Sequence, residues 1–180
     1  IYKKIIDSVR PASKPLAIKL FWMGESILHP SFKDMLLYAK EKLSETNAYI
    51  DLHTNAVTLD DEMINVFLEL GAMLPRLTIS IDAASEESYK KIRRRGNFGR
   101  VIRNIKRLIE LREKNHSLYP TIIFQFIVMD ENSAETKEFV DYWSKHLKDN
   151  LKMNLSDGWE LVSKEQKENL LKQYGIHDYY

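Results

Sequence analysis

The 180-residue chain contains no cysteine. That absence excludes disulfide bonds, cysteine nucleophiles and metal sites built on thiolates. The chain also lacks any apolar run near the roughly 18 residues that a membrane-spanning helix needs, and no signal peptide opens it. With 27 Lys and Arg against 26 Asp and Glu, no excess of one charge points to nucleic acid or a membrane surface as a partner. A cytoplasmic location is therefore the default expectation.

The composition that remains is that of an ordinary globular domain. Hydrophobic residues make up 44% and charged residues 29% of the chain, enough for one domain with a sizeable core. The chain starts with Ile1 rather than Met and enters a helical pattern at once, which suggests that it begins partway through a larger protein. Glycine is scarce, with 6 residues. No Gly-x-Gly-x-x-Gly follows any strand, so the fingerprint of a dinucleotide-binding fold is missing.

Predicted strands and helices alternate with a spacing of roughly thirty residues, the size of a strand-plus-helix unit. The predicted strands are residues 17–23, 48–53, 77–82 and 121–129. The helices that follow them are expected to begin near Pro30, at Asp60 or Asp61, near Ser85 and near Ser133. This alternation predicts an α/β fold with parallel strands. Without the dinucleotide fingerprint, we expect a partial (β/α) barrel of the TIM type.

The pattern changes after about residue 149. We expect residues 1–149 to form the core domain and residues 150–180 to form a C-terminal tail or an appended segment. Residues 151–159 indicate at most a short strand and a loop. A helix is predicted around residues 163–174, because a capping box stands at its start.

Polar residues lie on or directly after the predicted strands. They include Glu25, Asn55, Ser80, Asp82 and Gln125, and Gly24 stands directly before Glu25. In a parallel sheet these strand ends share one rim, where the functional residues of barrels gather. A glycine lets a ligand approach the backbone, a carboxylate accepts from an ammonium group, and Ser or Asp can hold ribose hydroxyls. The set suits a polar, cationic small molecule with a sugar, although each residue could instead cap a helix or build a turn.

Three other features have both a functional and a structural interpretation. The basic run 90–95, continued along the next helix, could grip phosphates, but a solvated helix face is the favoured interpretation. His29 and His53 lie near strand ends without the spacing of a metal site. The aromatic residues of 139–143 recur at helical spacing and are expected in the core.

Four segments resemble, in order and spacing, the motifs of radical SAM enzymes. Residues 22–30, Trp-Met-Gly-Glu-Ser-Ile-Leu-His-Pro, resemble their G-G-G-E-P-L-L-H-P segment. Residues 53–59 resemble T-N-G-x-x-L, and residues 80–98 resemble S-I-D-A…Y-x-x-I-R…F. Residues 126–143 resemble the F-V-M-x-x-N-x-x-E-x-x-x-F-x-x-W run, which is typical of members with a SPASM or twitch extension. The resemblance covers roughly residues 1–147.

The resemblance implies a cofactor and a reaction. Radical SAM enzymes bind S-adenosylmethionine to the unique iron of a [4Fe–4S] cluster and cleave it reductively to a 5′-deoxyadenosyl radical, which abstracts a hydrogen atom from the substrate. By motif, Gly24 and Glu25 would meet the methionine ammonium group, while Ser80 and Asp82 would serve its ribose or carboxylate end. The full set carried over as cofactor-binding is Gly24, Glu25, Asn55, Ser80, Asp82, Arg93 toward the carboxylate, and Gln125 and Val128 near the adenosine.

The chain also departs from the family pattern. The family's C-x-x-x-C-x-x-C loop precedes the helix that here begins near Ile1, so the three thiolates that anchor the cluster must come from residues absent from this chain. Alone, the chain is expected to be inactive. Met23 replaces a glycine of G-G-G-E-P, Ser26 replaces its proline, and Ala56 replaces the glycine of T-N-G.

Two functions therefore remain open. The first is a radical SAM enzyme core acting on an unknown small molecule or peptide, with a reductant such as a flavodoxin or ferredoxin. The second is a cluster-less barrel pseudoenzyme that serves as a ligand-binding or protein-interaction module. Neither nucleic acid nor a membrane is expected as a partner.

Overall fold

The computed structural model describes residues 1–94, 96–147 and 152–157. Its strands are Leu16–Lys19 (β1), Ala48–Thr54 (β2), Arg76–Ser80 (β3), Thr121–Val128 (β4) and Lys152–Asp157 (β5). Its α-helices are Tyr2–Ser8 (α1), Phe32–Leu43 (α2), Asp61–Leu70 (α3), Glu86–Ile92 (α4), Phe98–Lys114 (α5) and Thr136–Leu147 (α6). The helix predicted around residues 163–174 lies outside the described residues.

The five strands form one sheet in the order β1-β2-β3-β4-β5. Strand β1 pairs with β2 in parallel, with Leu16 opposite Ala48 and Lys19 opposite Asp51. Strand β4 pairs with β5 in parallel, and a helix separates every two consecutive strands. The structure confirms the predicted α/β class with parallel strands, the arrangement of a partial (β/α) barrel of the TIM type.

Strand β5 continues the sheet past residue 149. The sequence predicted at most a short strand over residues 151–159, and Lys152–Asp157 pairs there with the whole second half of β4. The part of the chain that follows residue 151 therefore begins as a sheet strand. Where a core domain ends and a tail begins stays a prediction.

Local signals account for the ends of the helices. Asp60 is the N-cap of α3, because its carboxylate accepts from the backbone N–H of Met63 at 2.8 Å. Gly71 ends α3 with a φ of 56°, a left-handed conformation that glycine adopts without steric cost. Ser85 caps α4 in the same way, with its side chain accepting from Ser88 N–H.

Strand β4 buries only one of its faces fully. Residues at even positions are buried, and those at odd positions are half-buried, although almost every residue of the strand is apolar. The buried face packs on α6: the ring of Phe124 lies 4.3 Å from Trp143, and that of Phe126 lies 4.7 Å from Phe139. The aromatic residues Phe139 and Trp143 are core residues, as predicted.

Two compact units make up the chain. The first unit contains residues 1–54, 58–77 and 107–121, and the second contains residues 55–57, 78–106 and 122–180. Fully buried side chains of the first unit include Ile6, Leu36, Leu43, Ile50, Leu52 and Phe67. Those of the second include Tyr89, Val101, Phe124, Phe126, Phe139 and Trp143. Across the described part of the chain, no helix combines the length and the apolar character needed to cross a membrane.

Candidate functional site

Asp82 is the most constrained residue at the end of β3. Its backbone is left-handed, with a φ of 57°, a conformation that Asp tolerates better than most residues. The residue is only 3% exposed. One carboxylate oxygen accepts from Nη2 of Arg93 at 2.5 Å, and the other accepts from the backbone N–H of Ile127 at 2.8 Å. The carboxylate thus ties the end of β3 to the end of α4 and to β4.

Asn132 fixes the same segment from the other side. Its side-chain amide donates to the carbonyl of Asp82 at 2.9 Å and to that of Ile127 at 2.8 Å. Its side-chain oxygen accepts from the backbone N–H of Met129 at 2.7 Å. No role for Asn132 was predicted beyond its place in the family motif. Burial to 1% exposure and complete hydrogen bonding identify it as a positioning residue.

Glu135 holds the loop that follows Asp82. Its carboxylate accepts from the backbone N–H of Ala84 at 2.9 Å and from the hydroxyls of Ser85 at 2.6 Å and Ser88 at 2.5 Å. Burial raises the pKa of Glu135, but these hydrogen bonds outweigh it and leave the pKa below its ordinary value. Sequence reasoning missed this role, although the N-x-x-E spacing was the signal for it.

Ser80 and Gln125 meet across β3 and β4. The hydroxyl of Ser80 donates to Oε1 of Gln125 at 2.9 Å, and both residues are half-buried. Gln125 lies on the half-buried face of β4, while Val128, three residues on, lies on the buried face and is 8% exposed. The geometry therefore groups Gln125 with Ser80 and separates Val128 from both.

Gly24 and Glu25 belong to the first unit. Gly24 has a φ of 101° with open space around its Cα, so the backbone conformation rather than crowding requires glycine there. The half-buried carboxylate of Glu25 accepts from Oγ1 of Thr54 at 2.8 Å. Ser26, which stands where the family has proline, donates to the carbonyl of Leu20 at 2.5 Å and fixes the loop by a side-chain bond instead.

Asn55 builds the turn after β2. Its side-chain oxygen accepts from the backbone N–H of Val57 at 2.9 Å. This hydrogen bond forms an Asx turn, so Asn55 has the turn-building role that the sequence left open for it. Ala56 adopts a φ of 56°, at a cost of about 1–2 kcal/mol relative to the family's glycine. The amide of Asn104 stabilises this turn, donating to the carbonyls of Ala56 at 2.8 Å and Val57 at 3.1 Å. The alanine therefore keeps the glycine-like turn.

Three cations of the basic run are paired with carboxylates. Lys90 pairs with Glu86 at 2.6 Å, and Lys91 pairs with Glu87 at 2.8 Å, each one helical turn away. Arg93 is engaged by Asp82. These pairs favour the interpretation of the run as a solvated helix surface over a phosphate-binding patch.

His29 and His53 make contacts of their own within the protein. Nδ1 of His29 accepts from the backbone N–H of Ser31 at 3.2 Å, in the turn around Pro30. The ring of His53 stacks on that of Phe21 with 3.7 Å between ring centres. Among the residues that the structure describes, no group of three or more His, Asp or Glu side chains could hold a metal ion.

The fold and these strand ends define a barrel-type α/β protein with a polar site at the end of β3. The sequence profile of the radical SAM superfamily matches residues 2–142. The chain belongs to this superfamily.

Several curated relatives support this assignment. A GTP 3′,8-cyclase of Clostridium botulinum is 28% identical over 145 residues, which cover 81% of this chain and 43% of the relative. A tungsten-containing aldehyde ferredoxin oxidoreductase cofactor-modifying protein of Pyrococcus furiosus is 25% identical over 144 residues, 79% of this chain and 38% of the relative. An uncharacterized protein of Methanocaldococcus jannaschii is 30% identical over 127 residues, which cover 71% of this chain and 39% of the relative. The chain spans about two fifths of the length of these relatives.

Membership of the superfamily implies S-adenosylmethionine and a [4Fe–4S] cluster as cofactors. The chain offers no thiolate, so its residues do not fit the cluster and do not ligate it. For S-adenosylmethionine the donor set fits in chemistry. A carboxylate at Glu25 suits an ammonium group, the guanidinium of Arg93 suits a carboxylate, and the hydroxyl and amide of Ser80 and Gln125 suit ribose hydroxyls.

Proposed function

We propose that this chain is the S-adenosylmethionine-binding part of a radical SAM enzyme that acts on a small molecule or a peptide. The cluster is ligated by residues outside this chain. When S-adenosylmethionine is bound to such a cluster, it supplies a 5′-deoxyadenosyl radical that removes a hydrogen atom from the substrate. The role of the residues described here is to bind and orient the cofactor.

The arrangement at the end of β3 carries the proposal. Ser80 and Gln125 meet at 2.9 Å on a half-buried surface, where a hydroxyl and an amide can hold the ribose. Arg93 ends α4 nearby, held by Asp82 in a position to pair with the cofactor's carboxylate. By resemblance to the family motif, we propose Gly24 and Glu25 for the ammonium group of the cofactor.

The contacts of Asp82 change the role that the sequence suggested for it. Both of its carboxylate oxygens already accept hydrogen bonds inside the protein, from Arg93 and Ile127. We therefore assign it to positioning Arg93 and the strand end, rather than to direct contact with the ribose. We likewise assign indirect roles to Asn55 and Val128. Asn55 shapes the turn after β2, and Val128 packs on the buried face of β4.

A calorimetric titration of S-adenosylmethionine into the complete, anaerobically purified protein tests the proposal. Ser80→Ala and Gln125→Ala should each weaken binding by about 1–3 kcal/mol, because each leaves a polar partner without its hydrogen bond. Ser44→Ala, which alters an exposed serine at the end of α2, is the matched control and should bind as the wild type does. Wild-type affinity in both site variants would contradict the assignment.

Three finer features belong to the same proposal. Residues 126–143 match the run found in members with a SPASM or twitch extension, so we assign the chain to that branch. We expect a flavodoxin or ferredoxin as the reductant and a cytoplasmic location for the complete enzyme.

The absence of cysteine from 180 residues favours one alternative, a barrel without a cluster that binds a ligand or a protein partner. The iron content of the complete protein, purified without oxygen, separates the two. An iron content of at least about four atoms per chain supports the enzyme, and an iron-free, folded protein supports the alternative.

A further inference from the structure

One face of the sheet in the first unit carries a row of charged side chains and a row of aromatic rings. The parallel register places Lys19 of β1 opposite Asp51 of β2, so both side chains point to the same side of the sheet. Two residues further along each chain segment, Phe21 and His53 stack almost in parallel, with ring centres 3.7 Å apart and 12° between the planes.

Arg76, the first residue of β3, completes the charged row. Its Nε and Nη2 lie 3.3 and 3.1 Å from the two carboxylate oxygens of Asp51. Asp51 is only 3% exposed, and a carboxylate buried to this extent needs a cationic partner. The guanidinium of Arg76 is that partner. The exposed ammonium of Lys19 lies 5.9 Å from the centre of the Phe21 ring. The row thus holds two cations against one carboxylate, an excess of positive charge.

His53 responds to all three charged groups of this row. Burial lowers the pKa of its imidazole; Asp51, on its own strand, raises it, and Arg76 on β3 and Lys19 on β1 lower it again. The net effect holds the pKa below its ordinary value, so the half-buried ring is mostly neutral at neutral pH. Stacking on Phe21 holds the plane of the ring.

We propose that Lys19 and His53 form a subsite for an anionic group of the substrate, a carboxylate or a phosphate, with Arg76 adding to the positive potential. The inference rests on the proposed function, because it assigns this face to the substrate. Excess positive charge beside a half-buried surface attracts anions more strongly than the same charge in bulk water does. The ammonium of Lys19 donates charge-assisted hydrogen bonds to such a group, and the imidazole of His53 does so once it is protonated.

Binding of an anion has a measurable consequence for His53. A negative charge within hydrogen-bonding distance opposes the effect of Lys19 and Arg76, and it should therefore raise the pKa of the imidazole. Binding of the anion and protonation of His53 are linked. The anion should therefore bind more tightly as the pH is lowered through the pKa of His53.

The test is an NMR titration of the complete protein with ¹³C-labelled histidines, in the absence of S-adenosylmethionine. His53→Asn identifies the resonance of His53. Inorganic phosphate and acetate are the probes, and chloride at matched ionic strength is the reference. We expect a saturable rise in the pKa of His53 with phosphate, acetate or both. Saturation by one probe alone assigns the subsite to phosphates or to carboxylates.

Lys19→Gln is the decisive variant. Because one exposed ion pair is lost, its apparent affinity for the anion should fall by about two- to fivefold. Lys14→Gln removes an exposed lysine just before β1 and should leave the affinity unchanged. The inference is overturned if neither anion shifts His53 beyond chloride, or if Lys19→Gln binds as the wild type does. Far-UV circular dichroism verifies that each variant is folded.

A calorimetric titration with S-adenosylmethionine on the same samples separates this inference from the proposed function. Cofactor binding without an anion response overturns the subsite alone. An anion response without cofactor binding overturns the proposed function and the assignment of the subsite to a radical SAM substrate.

Discussion

At the scale of single residues, the site depends on a few side chains whose hydrogen bonds are all internal. Asp82, Asn132 and Glu135 are buried or half-buried and hold the segment after β3 from three directions. Side chains of this kind set the position of others, so their removal should first be seen as a loss of stability.

Replacement of Asp82 is the sharpest test at this scale. Asp82→Ala strands the guanidinium of Arg93 and the N–H of Ile127, and it should lower the free energy of unfolding by at least about 2 kcal/mol. Asp82→Asn keeps the size, one acceptor and tolerance of the left-handed backbone, so its loss should be smaller. Urea denaturation measures both variants. An alanine variant as stable as the wild type would show that the ion pair is dispensable.

Gly96 offers a second residue-scale prediction. A Cβ at this position would lie 2.4 Å from Cε1 of the buried Tyr89 and 2.9 Å from the carbonyl oxygen of Arg93. Gly96→Ala should therefore destabilise the protein by about 1–3 kcal/mol, since a core ring has to move. Thermal unfolding followed by circular dichroism measures the change.

Gly99 is the matched control for Gly96. There a Cβ meets nothing closer than the flexible end of Arg103, at 3.5 Å. Gly99 lies in α5, so alanine should leave stability unchanged or raise it slightly. Equal losses in the two variants would show that crowding at Gly96 is not the cause.

At the scale of elements, the sequence predicted where strands and helices occur better than where they end. Residues 17–23 are apolar except for Lys19, but β1 ends at Lys19, and Trp22 and Met23 are 91% and 89% exposed. Strand β3 ends at Ser80 because Asp82 turns left-handed under contacts with Arg93 and Ile127. The contact with Ile127 spans 45 residues, and no local pattern encodes it.

The hydrogen bonds of Glu135, the residue just before α6, to the start of α4 give a prediction on pH. Because the pKa of Glu135 is lower in the folded state, its carboxylate stabilises the fold above the unfolded pKa, and this contribution is lost as the pH falls through the folded value. Glu135→Gln should therefore be less stable than the wild type near neutral pH, with a difference that shrinks below about pH 4.5. Urea denaturation at several pH values measures this, and a difference independent of pH would contradict it.

At the scale of the whole molecule, both the order of the elements and the superfamily were predictable. The order of strands and helices follows from a pattern that repeats along the chain, and the superfamily follows from its motifs. The site was predictable only in part. Ser80, Asp82, Arg93 and Gln125 were named from motifs, and they lie together in the second unit. The supporting roles of Asn132 and Glu135 depend on bonds to residues about 50 positions away in sequence and could be seen only in the fold.

The cofactor reaction of the complete protein tests the central claim most directly. Purified without oxygen and supplied with S-adenosylmethionine and dithionite, it should release 5′-deoxyadenosine, and Ser80→Ala should release less at subsaturating cofactor. A folded complete protein that forms no 5′-deoxyadenosine under these conditions would contradict the account.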